Sequence, residues 1–175
     1  MPELGLEPFV HPDCEITEST FGRYCEIGQG SRVQHTVMGD YSYCDRMCDI
    51  ANAEIGKFAN IASFVRLGAS DHPLDRASLH HFMYRSAYYW SDEADDSAWF
   101  AARRARRVVT VHDTCIGPNA QVKPEVTFGH GAVAAARGVI SSDVVPLVSV
   151  SGLPVTPRCE TTPRRWSVPI CRPPM

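Results

Sequence analysis

The feature that most constrains this chain is a 17-residue period. Blocks starting at Ile16, Val33 and Ile50 read ITESTFGRYCEIGQGSR, VQHTVMGDYSYCDRMCD and IANAEIGKFANIASFVR, and a fourth begins at Leu67. Apolar residues open each block and recur five positions on, at Phe21, Met38 and Ile55, and eleven positions on, at Ile27, Cys44 and Ile61. Glycine follows the middle column each time (Gly22, Gly39, Gly56). Two residues later comes an aromatic (Tyr24, Tyr41, Phe58), and then a small residue (Cys25, Ser42, Ala59). A period this short cannot hold a packed helix pair, which needs roughly 33 residues or more. It suits a chain that coils through three short strands, in segments of five, six and six residues, each sending one apolar side chain inward. The corners then fall at the Gly and polar positions, where a tight bend needs a permissive backbone.

After Val109 the pattern returns with a strict six-residue step: Ile116, Val122, Phe128, Ala134, Ile140. Small or β-branched residues sit four positions after most of these (Ala120, Val126, Ala132, Gly138). The expectation is an all-β protein, a parallel β-helix. Ile16, Val33, Ile50 and Leu67 should stack in one interior column, and Phe21, Met38 and Ile55 in a second, at the ~4.8 Å spacing of a β-ladder.

The same pattern divides the chain. Residues 1–15 form a Pro- and acid-rich lead-in without clear periodicity, and residues 16–158 form the β-helix domain. An excursion over 69–109 interrupts it, too long for a corner; long loops inside repeats usually carry function. The excursion contains HHFMYRSAYYW (His80 to Trp90), then SDEADD, then SAWFAARRARR, whose helix formers follow a Ser/Asp-rich start. A short helix is predicted near Ser97–Arg107. The hexads resume at about Thr110 and end near Ser141. From Asp143 the chain carries seven prolines and is expected to be irregular. The tail over 159–175 should pack little, because Pro163, Pro169, Pro173 and Pro174 deny it a regular ladder.

One domain is the natural expectation for 175 residues, and a net charge of −3 argues against a general nucleic-acid binder. The chain opens on no charged, apolar and small-residue leader, and no apolar run approaches the ~18 residues of a membrane span. The expectation is a soluble cytoplasmic protein that engages no membrane. Seven cysteines are an odd number with no C-x-x-C pair, and Cys25, Cys44 and Cys48 fall in small or apolar columns. Buried, reduced thiols follow.

His72 is the residue that could carry chemistry. It falls five positions after Leu67, in register with the column Phe21, Met38, Ile55, where the chain leaves the coil between Asp71 and Pro73. An imidazole can accept a proton at neutral pH, so a general base and a turn-forming surface histidine are both open on spacing alone. His80 and His81 could line an acceptor pocket or simply pack; His112 and His130 occupy polar corners and read as solvated. The arginines at 103, 104, 106 and 107 read first as a solvated helix face, with a supply of positive charge to a bound phosphate as the alternative.

IGKFANIASFVRLGASDHPLD, the HHFMYRSAYYW stretch, HDTCIGPNAQVKPEVTFGHGAV and SGLP together resemble the hexapeptide-repeat acyltransferases. The nearest subgroup is that of the xenobiotic (chloramphenicol-type) and phosphonate-metabolism-associated acetyltransferases. The resemblance implies a left-handed β-helix, a homotrimer, and transfer of an acetyl group from acetyl-CoA to a small acceptor. It implies His72 as general base, backbone N–H groups near a subunit junction as oxyanion donors, and no metal. It also implies CoA contacts at Pro118, after the first post-loop Ile-Gly, and at Ala136. Where related enzymes carry a Thr-Lys pair this chain has Ser141 and Ser142. The Gly-x-Pro signature is Gly152-Leu153-Pro154-Val155-Thr156, which puts Thr156 at its last position with Arg158 the nearest basic residue. Two other readings belong to different classes. One is a non-catalytic β-helix scaffold that binds CoA weakly. The other is a metalloenzyme like the γ-class carbonic anhydrases, whose fold is similar but whose histidines five residues apart have no counterpart here, since positions 117 and 135 are Gly and Ala.

Overall fold

A computed structural model describes residues 3–68 and 71–151. Strands of two or three residues wind through three parallel sheets, one strand per sheet per coil. The first sheet has seven strands, from Phe9–Val10 to Ser149–Val150; the second six, from Glu15–Thr17 to Val139–Ile140; the third five, from Thr20–Phe21 to Thr127–Phe128. Every pairing is parallel, and the register follows the sequence columns. Ile16, Val33, Ile50, Leu67, Val122 and Ile140 face one another in the second sheet. Phe21, Met38, Ile55, Thr110 and Phe128 do so in the third, and Ile27, Cys44, Ile61, Ile116, Ala134 and Val150 in the first. Except at the open first rung, where Ile16 is exposed and Phe21 half-buried, these side chains fill the interior.

The ladder extends beyond the visible repeat at both ends. Phe9–Val10 pairs with Glu26–Ile27, so the coil begins inside the lead-in. Past Ile140, Val144 bridges Phe128 and Ser149–Val150 pairs with Val133–Ala134, where an irregular stretch from Asp143 is expected. Pro146 does not stop the ladder because it lies between these pairings, where no strand needs its missing N–H. The tail over 159–175 lies outside the described residues.

The corners work differently from the expectation. The left-handed backbone sits on the aromatics, not on the glycines before them: φ is 57° at Tyr24, 58° at Tyr41 and 60° at Phe58. That conformation costs a non-glycine residue roughly 1–2 kcal/mol. It turns each amide toward the preceding coil, where Tyr41 N–H donates to Arg23 O at 2.9 Å and Phe58 N–H to Asp40 O at 3.1 Å. The rings stack along the corner at 4.8 and 5.5 Å. The glycines instead allow close approach of coils. A Cβ on Gly39 would meet the carbonyl carbon of Gly56 at 2.9 Å, and one on Gly56 would collide with the Val111 carbonyl.

Small polar side chains knit one coil to the next. Ser42 Oγ donates to Gly56 O at 2.8 Å and accepts from Ala59 N–H at 3.0 Å. The thiols of Cys25 and Cys48 donate likewise to Gly39 O and Ala62 O. Cys14, Cys25, Cys44, Cys48 and Cys115 are all free thiols, with Cys25, Cys44 and Cys48 buried. Among the described residues, no helix is long and apolar enough to cross a membrane.

The coil is interrupted once. The chain leaves after Gly68, whose φ of 67° leaves no room for a Cβ against the Ala51 carbonyl. It re-enters at Val108, whose N–H donates to Asn52 O at 3.0 Å. Between them lie two 3-10 turns (His81–Met83, Ser86–Tyr88) and helix α1, Ser97–Ala105. This is the predicted short helix. The interior place in register after Ile55 goes to Thr110, on the returning strand, so His72 stays outside the coil.

Candidate functional site

His72 is exposed at the foot of the excursion, beside the buried Pro73. Its Nδ1 lies 3.3 Å from Tyr84 Oη. No described residue bonds its Nε2. Tyr84 is 4% exposed, stacks on Trp99 at 4.0 Å and meets Phe100 edge-on. A polar chain holds this aromatic group. Arg76 donates to Met83 O at 2.7 Å and to Asp96 at 2.6 Å. Asp96 caps α1, accepting from Trp99 N–H at 2.8 Å, and its own N–H donates to Tyr84 O. The Trp99 amide and the Arg76 guanidinium hold the Asp96 carboxyl below the usual aspartate range.

Trp99, Ala102, Arg103 and Arg106 recur at i, i+3, i+4 and i+7, which is one face of a helix. That face and the segment Asp71–Leu74 enclose a cleft of about 260 Å³. Arg106 closes one side, reaching Asp71 at 2.6 Å and Glu125 at 3.0 Å. Arg107 donates to Ala53 O at 2.6 Å and pairs with Glu54 at 2.8 Å. The two arginines therefore clamp the start and the end of the excursion to the coil. Arg103 lies over the Trp99 ring, 5.2 Å from its centroid. Of the four arginines read as a solvated face, three are half-buried and engaged, and Arg104 is exposed.

The other sequence candidates fall elsewhere. His80 and His81 stack on each other, and His81 Nε2 lies 2.9 Å from Tyr89 Oη; neither lines the His72 cleft. His112 and His130 are exposed corner residues 5.2 Å apart, and His112 Nδ1 accepts from Lys57 N–H at 3.0 Å. Pro118 and Ala136 are exposed on one corner, between the first and second sheets and one coil apart; Pro118 O accepts from Arg137 N–H at 2.9 Å. Ser141 and Ser142 are exposed on the corner between the second and third sheets, the corner from which the excursion departs two coils earlier. Within one chain, Pro118 and Ala136 are thus not on the corner that carries His72. Thr156 and Arg158 lie outside the described residues. Among the described residues no three His, Cys, Asp or Glu side chains converge as a metal-holding group.

Sequence reasoning missed Tyr84 as the partner of His72 and Trp99 as a wall of the same cleft. A signal existed for part of this: Trp99 and Arg103, four apart at the start of an evident helix, mark one face. Nothing in the spacing says that Tyr84 folds back on His72.

No protein-family model matches the chain. It is 36% identical over 117 residues to a chloramphenicol acetyltransferase of Klebsiella aerogenes, covering 65% of this chain and 53% of that protein. It is 34% identical over 109 residues to one of Morganella morganii, covering 61% and 50%. The chain thus spans about half the length of the curated relatives it matches. Among solved structures, the acetyltransferase domain of PglB from Neisseria gonorrhoeae superposes with a TM-score of 0.62 at 17% identity, over 87% of this chain and 58% of that one. A mutant of AntD, an N-acyltransferase from Bacillus cereus, in complex with dTDP and coenzyme A, gives 0.59 at 15% identity, over 85% and 77%. The coil is a left-handed β-helix of hexapeptide repeats, and in sequence and fold the chain is similar to these acetyltransferases and acyltransferases.

Proposed function

We propose that the protein transfers an acetyl group from acetyl-CoA to a hydroxyl or amine of a small acceptor, with His72 as general base. The observation that carries this reading is the setting of His72. One ring nitrogen rests on a buried tyrosine, the other has no bonding partner among the described residues, and the residue lines a cleft. With Nδ1–H donating to Tyr84 Oη, the lone pair of Nε2 is available to the cleft. Nε2 takes the proton as the acceptor oxygen or nitrogen attacks the thioester carbonyl. The resulting imidazolium returns the proton as the carbon–sulfur bond breaks and the CoA thiol leaves. Backbone N–H groups near a subunit junction stabilise the oxyanion. Tyr84 positions the ring and touches no reacting atom.

Acetyl-CoA would contact Pro118 and Ala136, with Ser141, Ser142, Thr156 and Arg158 toward its phosphates. Because Pro118 and Ala136 occupy a different corner from His72, the site is completed between two copies of a homotrimer, acting in the cytoplasm. The test is a calorimetric titration with acetyl-CoA, followed by thiol release over a panel of hydroxyl and amine acceptors that includes chloramphenicol. Binding and acceptor-dependent release that His72→Ala abolishes are expected. If the wild-type protein shows neither, it is a non-catalytic scaffold.

A further inference from the structure

Of the charged groups lining the cleft, one has no ion pair among the described residues. Arg106 is neutralised by Asp71 and Glu125, which hold its guanidinium above the ordinary arginine value. Arg107 is paired with Glu54. Asp71, the one carboxylate lining the cleft, is engaged by Arg106. Arg103 has no carboxylate within ion-pair distance among the described residues; its contact there is the face of Trp99. Burial also pushes its guanidinium below the ordinary value, and the attraction of the more distant Asp71 carboxylate does not offset it. A half-buried guanidinium without an anion is costly unless something supplies one, and its planar fork suits the two oxygens of a carboxylate or phosphoryl group.

We infer that the acceptor bound in the cleft carries an anionic oxygen group, carboxylate or phosphoryl, and that Arg103 receives it while His72 addresses the acceptor's hydroxyl or amine. The inference rests on the acetyl-transfer reading and adds the acceptor's charge class to it. The cleft of about 260 Å³ is slightly smaller than the ~300–1,000 Å³ of sites for drug-sized ligands, which fits a small charged acceptor. The phosphates of CoA are a second source of such an anion. The pantetheine arm separates them from the thioester, however, and His72 and Arg103 line the same cleft, so the anion belongs to the acceptor.

The test begins without turnover. The full-length protein is titrated with inorganic phosphate, and separately with acetate, against chloride at constant ionic strength. NMR follows the Arg103 side chain and the Trp99 indole. Saturable shifts at both residues are expected. Arg103→Gln should weaken the response at Trp99 at least tenfold, Arg103→Lys should retain part of it, and Arg104→Gln, on the exposed side of α1, should leave it unchanged. An unresponsive wild type, or an equal loss in Arg104→Gln, overturns the assignment. Repeating the titration on protein saturated with acetyl-CoA separates the two sources: a response that persists supports an acceptor subsite, and one that vanishes gives the anion to CoA. In thiol-release assays, an acceptor acid should outperform its methyl ester by at least tenfold in kcat/KM, and Arg103→Gln should remove that preference. Anion binding at Arg103 without thiol release for any acceptor would fail the transferase reading and leave the anion site standing. Thiol release without a preference for the acid would fail the anion site alone.

Discussion

In the coil, Val33, Ile50, Leu67, Val122 and Ile140 share one register, and each of their strands is bonded through backbone groups to its neighbours along the sheet. In the excursion before Val108, no described residue joins a strand. Beyond its local turns and helix and one backbone bond from Asp96 to Tyr84, its order comes from side chains: Arg76 on Asp96, Asp96 on the start of α1, Trp99 under Tyr84, and Arg106 across Asp71 and Glu125. The contrast teaches where each property resides. The coil buries its columns whichever residue of middling size fills a given rung: Met38, Cys44 and even the polar Thr110 sit in these columns, all buried. The excursion depends on particular partners at particular places, and it supplies every residue lining the cleft.

The largest effect should separate chemistry from stability. His72→Ala should lower turnover on a competent acceptor by ~10²–10⁴-fold. The dissociation constant for acetyl-CoA and the denaturation midpoint should stay near wild type, because His72 is exposed and outside every interior column. Unchanged turnover would remove His72 from the mechanism. In the coil the converse holds. Ile61 is fully buried between Cys44 and Ile116, and Ile61→Ala should cost ~2–5 kcal/mol in denaturant unfolding. A loss well below ~1 kcal/mol would mean that the column is not close-packed.

Gly56→Ala sharpens the point about corners. Its φ is not left-handed, yet the added methyl meets the Val111 carbonyl of the next coil. Destabilisation of ~1–3 kcal/mol is expected; a neutral result would show that the coils can move apart at this corner. Within the excursion, Tyr84→Phe keeps the stack on Trp99 and removes only the hydroxyl that faces His72 Nδ1. The loss of one hydrogen bond should lower kcat by up to about tenfold. It should also alter the pH profile of kcat, with little change in KM for acetyl-CoA or in thermal stability. A purely structural role for Tyr84 would move stability instead.

The smallest effect concerns acid. The folded-state pKa of Asp96 is depressed, so its contribution is present above the ordinary aspartate value of 3.8 and is lost as pH falls through the depressed value. Tryptophan fluorescence should therefore report a loosening around Trp99 as pH is lowered from about 5 to below 3.8. Asp96→Ala should show the loosened signal already at neutral pH. A pH response identical in that variant would assign the transition to other groups, Asp40 and Asp45 among them, whose carboxyls are also depressed.

The sequence by itself determined the three columns, the six-residue step after the excursion and the position of α1. These are periodic or local properties: one side chain per rung repeats at a fixed spacing, and a helix needs only its own residues and a cap. The first coil left only a partial mark, with Val10 at a 17-residue step before Ile27. The last was hidden because Val144 and Val150 follow at a spacing two residues shorter than the 18 that separates Ile116 from Ala134. Tertiary structure decided the rest. It placed the left-handed backbone on Tyr24, Tyr41 and Phe58, whose amides must reach the coil before, and left Gly39 and Gly56 to the close contacts. It brought Tyr84 to His72, separated Pro118 and Ala136 from that corner, and made Arg106 a clamp while leaving Arg103 without a carboxylate among the described residues. Four arginines within five residues read alike in a sequence, because their difference lies in which carboxylates the folded chain brings within reach.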